Sequence, residues 1–316
     1  MPINKHSFGW QPDFPDFRDF SIHNFTDDRN TGKQKNAKNG KHAEKLFFAF
    51  AKEVDAAPSK VDLRAFCSPV EHQGGLSSCT AHAATALMEY YEKRTFGSYQ
   101  KYSRSFLYKV TRNYMRTTGD SGANPRNTMA AMVLFGVPPE NYWPYDESQF
   151  DNEPPAFLYS FAQNYKTLKF FRHDGAGVAK DVVLGDIKKS LLNGIPSMCG
   201  FTLYSSYNQY DGDAAKQGCI PYPAAFDNIQ GGHCLAIFGF DDNKEIGNRA
   251  EPDKITKGAF LVKNSWGESW GEKGYGWLPY QYLLDGLAID WWSIIKKEWV
   301  DTSAFNDIQV AQPSQP

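Results

Sequence analysis

Apolar residues in the first half of the chain recur three and four positions apart. Over residues 79–94, Ala83, Leu87, Tyr90 and Arg94 fall on one face, which predicts a helix with Ser77 and Ser78 available to cap its start. Shorter helices are predicted over 103–112 and over 127–135, the latter stopped by Gly136 and Pro138. Another spans 186–192 and closes at Gly194-Ile195-Pro196. The period then changes. In 233–240, Cys234, Ala236, Phe238 and Phe240 alternate with Leu235, Ile237 and Gly239, so both faces are apolar and the run reads as a fully buried strand. Residues 259–263 and 288–295 read the same way. Helices followed by strands predict an α+β fold of two packed lobes with a cleft between them. On this reading 58–165 is a helical lobe, 166–295 a β-rich lobe and 296–316 a C-terminal tail.

Residues 1–57 follow neither pattern. Phe8-Gly9-Trp10 and the repeated Pro-Asp-Phe of 12–17 are aromatic and turn-rich, and a Lys/Asn/Gly stretch over 32–41 reads as a solvated linker. Leu46, Phe47, Phe50, Ala51 and Val54 then mark one face of a short amphipathic helix over 41–54. The region has no core of its own and is expected to rest on the rest of the chain as a prosegment.

Composition narrows the classes of function. Thirty-four basic residues against 36 acidic ones leave a net charge of −2, with no basic excess for a nucleic-acid or anionic-membrane partner. No apolar run reaches the roughly 18 residues needed to span a bilayer. Met1 to Trp10 lacks the apolar stretch of a signal peptide, although a secreted or extracytoplasmic site of action, as a monomer, is the expectation. Five cysteines, Cys67, Cys79, Cys199, Cys219 and Cys234, form at most two disulfides if one thiol is kept for chemistry.

Cys79 is the candidate for that thiol, the alternative being a buried, inert one. It opens a predicted helix, where the partial positive charge of the helix terminus favours an anion, and an imidazolium partner would lower its pKa further. The chain runs His72-Gln73-Gly74-Gly75-Leu76-Ser77-Ser78-Cys79-Thr80-Ala81-His82, then Gly231-Gly232-His233, then Lys263-Asn264-Ser265-Trp266-Gly267. His233 follows Cys79 by 154 residues and Asn264 follows His233 by 31. In this order the sequence resembles the papain family of cysteine peptidases over about residues 58–295, and more closely its bacterial branch. Val137-Pro138-Pro139-Glu140 and Trp143-Pro144-Tyr145-Asp146 carry the bacterial likeness.

The resemblance implies a two-lobed fold with its active site in the cleft, and a cysteine endopeptidase made as a zymogen that acts on protein or peptide substrates. It implies Cys79 as nucleophile, His233 as general base and acid, and Asn264 as the group that orients the imidazole. Gln73, with the backbone N–H of Cys79, would form the oxyanion hole, and Trp266 would cover the His–Asn hydrogen bond. Ser121, Gly122 and Ala123 match the segment that pairs with substrate backbone, Gly232 adjoins the base, and Asp290 approaches the floor of the main specificity pocket. Residues 1–57 would act as an intramolecular inhibitor. No cofactor or metal is implied. Leu76 stands where the plant enzymes have a cysteine, so the disulfide that pins their loop is absent, and Thr80 replaces the tryptophan beside the nucleophile.

Other readings exist for single residues. His82 lies three residues after Cys79 and is a rival for the base. Cys79/His82 and His233/Cys234 are cysteine–histidine pairs, but neighbours on a strand point to opposite faces and cannot both ligate zinc. A different Cys-His acyl transferase or amidase, or a catalytically silent peptide-binding protein on the same scaffold, are the alternative functions.

Overall fold

A computed structural model describes residues 8–16, 19–21, 58–166, 169–208 and 216–295. The linker of 32–41, the helix of 41–54 and the tail of 296–316 lie outside the described residues. Two lobes are present. One is built on α1 (Cys79–Phe96), α2 (Arg104–Met115), α3 (Pro125–Leu134) and α4 (Ala156–Ala162). The other is an antiparallel sheet of β2 (Lys169–Arg172), β3 (Ser197–Tyr204), β4 (Ile229–Asn248), β5 (Glu251–Lys263), β6 (Tyr275–Pro279) and β7 (Ala288–Ile295), in the order β2-β7-β3-β4-β5-β6. Helices α5 (Lys180–Leu192) and α6 (Tyr280–Leu284) accompany the sheet. The lobe of 58–165, expected to be helical, does not open with a helix. Lys60–Asp62 is a strand, β1, paired with Phe240 and its neighbours on β4, so the chain starts in the sheet before crossing to the helical lobe.

Helix α1 is buried on every side from Cys79 to Tyr91, and its alanines let the other elements pack close around it. It ends at Gly97, whose φ of 73° is the left-handed turn that glycine adopts without strain. Ser78 precedes it but accepts no capping hydrogen bond, contrary to expectation. Helices α2 and α3 are capped, by Ser103 on Phe106 N–H and by Asn124 on Asn127 N–H. The sheet's core is aromatic, with Trp291 and Trp292 fully buried.

A polar network joins the lobes beneath the cleft. Arg104 Nη2 donates to both carboxylate oxygens of fully buried Glu89 at 2.9 Å, Glu89 accepts from Ser68 Oγ at 2.5 Å, and Lys263 Nζ donates to the Ser68 hydroxyl at 2.9 Å. Each buried charge has a partner, which is the condition for tolerating it there. Lys263 ends β5, so the network fixes the following residue, Asn264, relative to α1.

Candidate active site

Cys79 is the first residue of α1 and has no exposed surface. Backbone N–H groups of Cys234 on β4, of Gly9 in the N-terminal segment, and of Thr80 and Cys79 in the first helical turn act on the thiol and favour its anion. The Cys234 contact brings the residue next to His233 against the nucleophile. The loop before Cys79 is held without a disulfide. Asp120 accepts from Ser77 N–H at 2.9 Å, and Glu147 accepts from Gly75 N–H at 2.7 Å. Tyr145 donates to the Gln73 carbonyl at 2.7 Å. Hydrogen bonds from the 120 and 145–147 turns therefore replace the missing covalent pin.

His233 Nε2 lies 2.8 Å from Asn264 Oδ1, which also accepts from Ser265 N–H at 2.8 Å. Two donors on one atom identify it as the amide oxygen, so His233 carries a proton on Nε2 and turns Nδ1 away from Asn264. Trp266 stacks on the imidazole, ring centroids 4.4 Å apart and planes 20° apart. Gln73 is fully buried and is aimed from both ends of its amide: Oε1 accepts from Ser265 Oγ at 2.5 Å, and Nε2 donates to the Leu76 carbonyl at 2.7 Å. Gln73 and Asn264 are thus tied through Ser265.

The N-terminal segment lies in the cleft. Phe8 meets Trp266 edge-on at 6.5 Å. Gly9 packs on the backbone just before Cys79 so closely that a Cβ there would lie 1.9 Å from the Ser77 carbonyl oxygen. Ala123 N–H donates to the Gly9 carbonyl at 2.8 Å, Gln11 N–H to the Ala123 carbonyl at 3.0 Å, and Trp10 N–H to the Gly232 carbonyl at 3.1 Å. Gln11 Nε2 donates to the Ser121 carbonyl at 2.5 Å. The Trp10 indole fills a slot beside Gly200, where any side chain would overlap it. Its Nε1–H donates to Asp290 Oδ2 at 3.0 Å, and Asp13 N–H donates to the same oxygen at 2.9 Å. Ser121, Ala123, Gly232 and Asp290 therefore all bind this one segment, and Gly122 packs against its Gly9 carbonyl.

Asp290 is fully buried and faces Arg172 at 3.0 Å, with Asp174 joined to the same guanidinium. Burial pushes its carboxyl up to about 7, against the pull of Arg172, Asp13 N–H and the indole. Burial likewise pushes the Cys79 thiol up to about 11 while Gly9 covers it, outweighing the four N–H donors. His82 is engaged elsewhere. Its Nδ1 is 3.1 Å from the Ser78 carbonyl and its ring stands edge-on to Tyr145 at 5.0 Å. All five cysteines are free and buried.

A model of the papain family of cysteine proteases matches residues 57–282. The chain belongs to that family. It is 35% identical over 233 residues to an uncharacterized peptidase C1-like protein of Acanthamoeba polyphaga mimivirus, covering 70% of this chain and 68% of that protein. Cathepsin K of Gallus gallus is 27% identical over 69% of this chain and 58% of its own length. Among solved structures, xylellain, a cysteine protease from Xylella fastidiosa, superposes with a TM-score of 0.67 at 29% identity, covering 92% of this chain and 96% of that one. The protein is a cysteine endopeptidase of papain-like fold. Among the described residues no helix is long and apolar enough to cross a membrane.

The protease has site residues that the sequence did not single out. Trp10 and Gly9 stood in a stretch read as an aromatic, turn-rich prosegment, with no contact assigned to either residue. Arg126 binds three carboxylates of the N-terminal segment, Asp13 at 2.9 Å, Asp16 at 3.8 Å and Asp19 at 2.9 Å. The available signal was the regular spacing of those acids, which asks for a basic partner. Nothing in the sequence pointed to Ser265 beyond its place between Asn264 and Trp266.

Proposed function

We propose that the protein is a zymogen whose Cys79–His233 pair, once the N-terminal segment leaves, hydrolyses extended peptides through a thioester. The observation that carries the reading is the Phe8–Asp13 segment bound across Cys79 by the same backbone atoms, Ala123 N–H, Ala123 carbonyl and Gly232 carbonyl, that would hold a substrate as an added strand. In the reaction the thiolate attacks the scissile carbonyl. The oxyanion receives the Cys79 N–H and the Gln73 amide, and His233 gives its proton to the departing amine. Water then attacks the thioester with His233 as base. Asn264 holds the imidazole, and its neutral amide leaves thiolate and imidazolium as the ion pair of the site.

Chain direction explains why the segment survives. The leaving amine must lie toward His233 and Trp266, where Phe8 sits, and the acyl part toward the Trp10 slot. The segment runs from Phe8 to Trp10, from the leaving side to the acyl side, which is the reverse of a productive substrate. Its peptide bonds therefore present the wrong group to Cys79. The slot over Asp290 is suited to a flat, apolar side chain with an N–H at its end.

A protein lacking residues 1–57 should release peptides from casein and lose that activity when a thiol-directed epoxide modifies Cys79. Turnover of simple amides without casein cleavage would favour the amidase alternative, and binding of peptides without turnover the silent one. Gln73→Ala in the truncated protein should lower kcat by about 10²–10³, the usual cost of one oxyanion donor, with KM little changed. Single-turnover kinetics with wild-type kcat would reduce Gln73 to a loop support.

A further inference from the structure

Behind the catalytic residues, between the lobes, lies a small, partly open cavity of about 10 Å³ lined by His82, Arg104, Lys263, Asn264 and Ser265 together with three alanines. That is close to the smallest space that admits one water molecule. Three of the residues that line it each carry a buried nitrogen with no hydrogen-bond partner among the described residues: His82 Nε2, Asn264 Nδ2 and Arg104 Nε. Unpaired buried polar atoms each cost about 1–3 kcal/mol, so three around one small space call for a shared partner.

The protonation states follow from the bonds already placed. Tyr145 donates its hydrogen to the Gln73 carbonyl, so in the 2.7 Å contact between Tyr145 and Ser78 the serine must be the donor. Ser78 Oγ then has no hydrogen left for His82 Nδ1. That nitrogen instead donates to the Ser78 carbonyl at 3.1 Å, which can only accept. Hence Nε2 of this cavity-lining ring carries the lone pair. The Asn264 amide is fixed too, because Oδ1 is committed to His233 and Ser265, leaving Nδ2 as a donor.

We propose that this cavity holds one structural water that accepts from Asn264 Nδ2–H and donates to His82 Nε2, making His82 a positioning residue for the His233–Asn264 pair. The water ties the amide that orients the imidazole to the first turn of the helix that carries the thiol. Both halves of the catalytic pair are then referenced to one rigid element. Burial and the nearby Arg104 push His82 well below its ordinary pKa, so the ring stays neutral and Nε2 remains an acceptor. A phenylalanine would pack as well against Tyr145 but would leave Asn264 Nδ2 unanswered.

The inference rests on the protease reading for its kinetic consequence, but the water itself does not. A high-resolution crystal structure of the full chain should show a water within hydrogen-bond distance of both nitrogens, and ¹⁵N spectra should show His82 protonated at Nδ1 only. An empty cavity, or an Nε2–H tautomer, overturns the proposal even if the enzyme is fully active. In the truncated enzyme, His82→Phe and His82→Asn should lower kcat by about tenfold to a hundredfold with KM unchanged, a scale set by small misplacements of reacting groups. His82→Gln puts a polar group where Nε2 stands and should restore most of kcat, whereas His82→Asn replaces only Nδ1. Equal kcat in wild type and His82→Phe would overturn the positioning role. An inactive wild type would instead count against the protease reading.

Discussion

Cys79→Ala and His233→Ala, each made in the protein lacking residues 1–57, are expected to lower kcat on a fluorogenic peptide by about 10⁶-fold, and the double variant to be no worse than either. Groups that act as one unit are non-additive, because loss of the base leaves the nucleophile inert and loss of the nucleophile leaves the base nothing to activate. Asn264→Ala should cost less, since the imidazole keeps its stacking on Trp266 at 4.4 Å and only its orientation is freed. The decisive comparison is with His82. If His233→Ala keeps wild-type turnover while His82→Ala is dead, the assignment of base is wrong. The geometry makes that unexpected, because His82 is already committed to the Ser78 carbonyl, while Cys234, next to His233, contacts the thiol through its backbone.

The parts of this site that were legible in the sequence are those with strict chemical identity at a fixed place on a helix start or strand. Cys79, His233, Asn264 and Gln73 are of this kind: His233 reaches Asn264, Gln73 is tied to the adjoining Ser265, and Cys234, next to His233, lies against the Cys79 thiol. The fold class was equally legible, because a change from helical to strand period survives without knowledge of partners. Three things were not. Strand β1 has only three residues, Lys60–Asp62, and its pattern is too short to have a period. Ser77 and Ser78 had the composition of caps, yet Asp120 and Tyr145 take their polar groups, a competition from distant residues that no local rule can see. Asp290 was placed near the pocket floor only through the family resemblance, and its partners were not legible. It lies between Arg172 and Trp10, residues 118 and 280 positions away in the chain.

Trp10→Ala in the full-length chain is expected to raise kcat/KM on a small peptide by about 10²–10³. Replacing a buried aromatic by alanine costs about 3–5 kcal/mol, and each 1.4 kcal/mol is a factor of ten in an equilibrium. Here the equilibrium is between covered and open cleft, so the cost appears as activity until the open form predominates. The truncated protein sets the ceiling. Trp10→Phe keeps most of the ring but loses the hydrogen bond to Asp290, and should give a smaller rise of roughly tenfold. Gly9→Ala should also open the cleft, by steric overlap with the Ser77 carbonyl rather than by lost affinity. Thiol chemistry supplies an independent readout. With the segment in place burial holds the Cys79 thiol up at about 11, so alkylation by iodoacetamide should be slow at neutral pH and accelerate as pH rises toward that value. Removing the segment takes away the cover that raises the pKa, and alkylation should become fast at neutral pH. Equal kcat/KM and equal alkylation rates for full-length, Trp10→Ala and truncated proteins would make the segment a permanent brace. The Arg126 contacts to Asp13, Asp16 and Asp19 would still hold it against the helical lobe in that case, but they would restrain nothing.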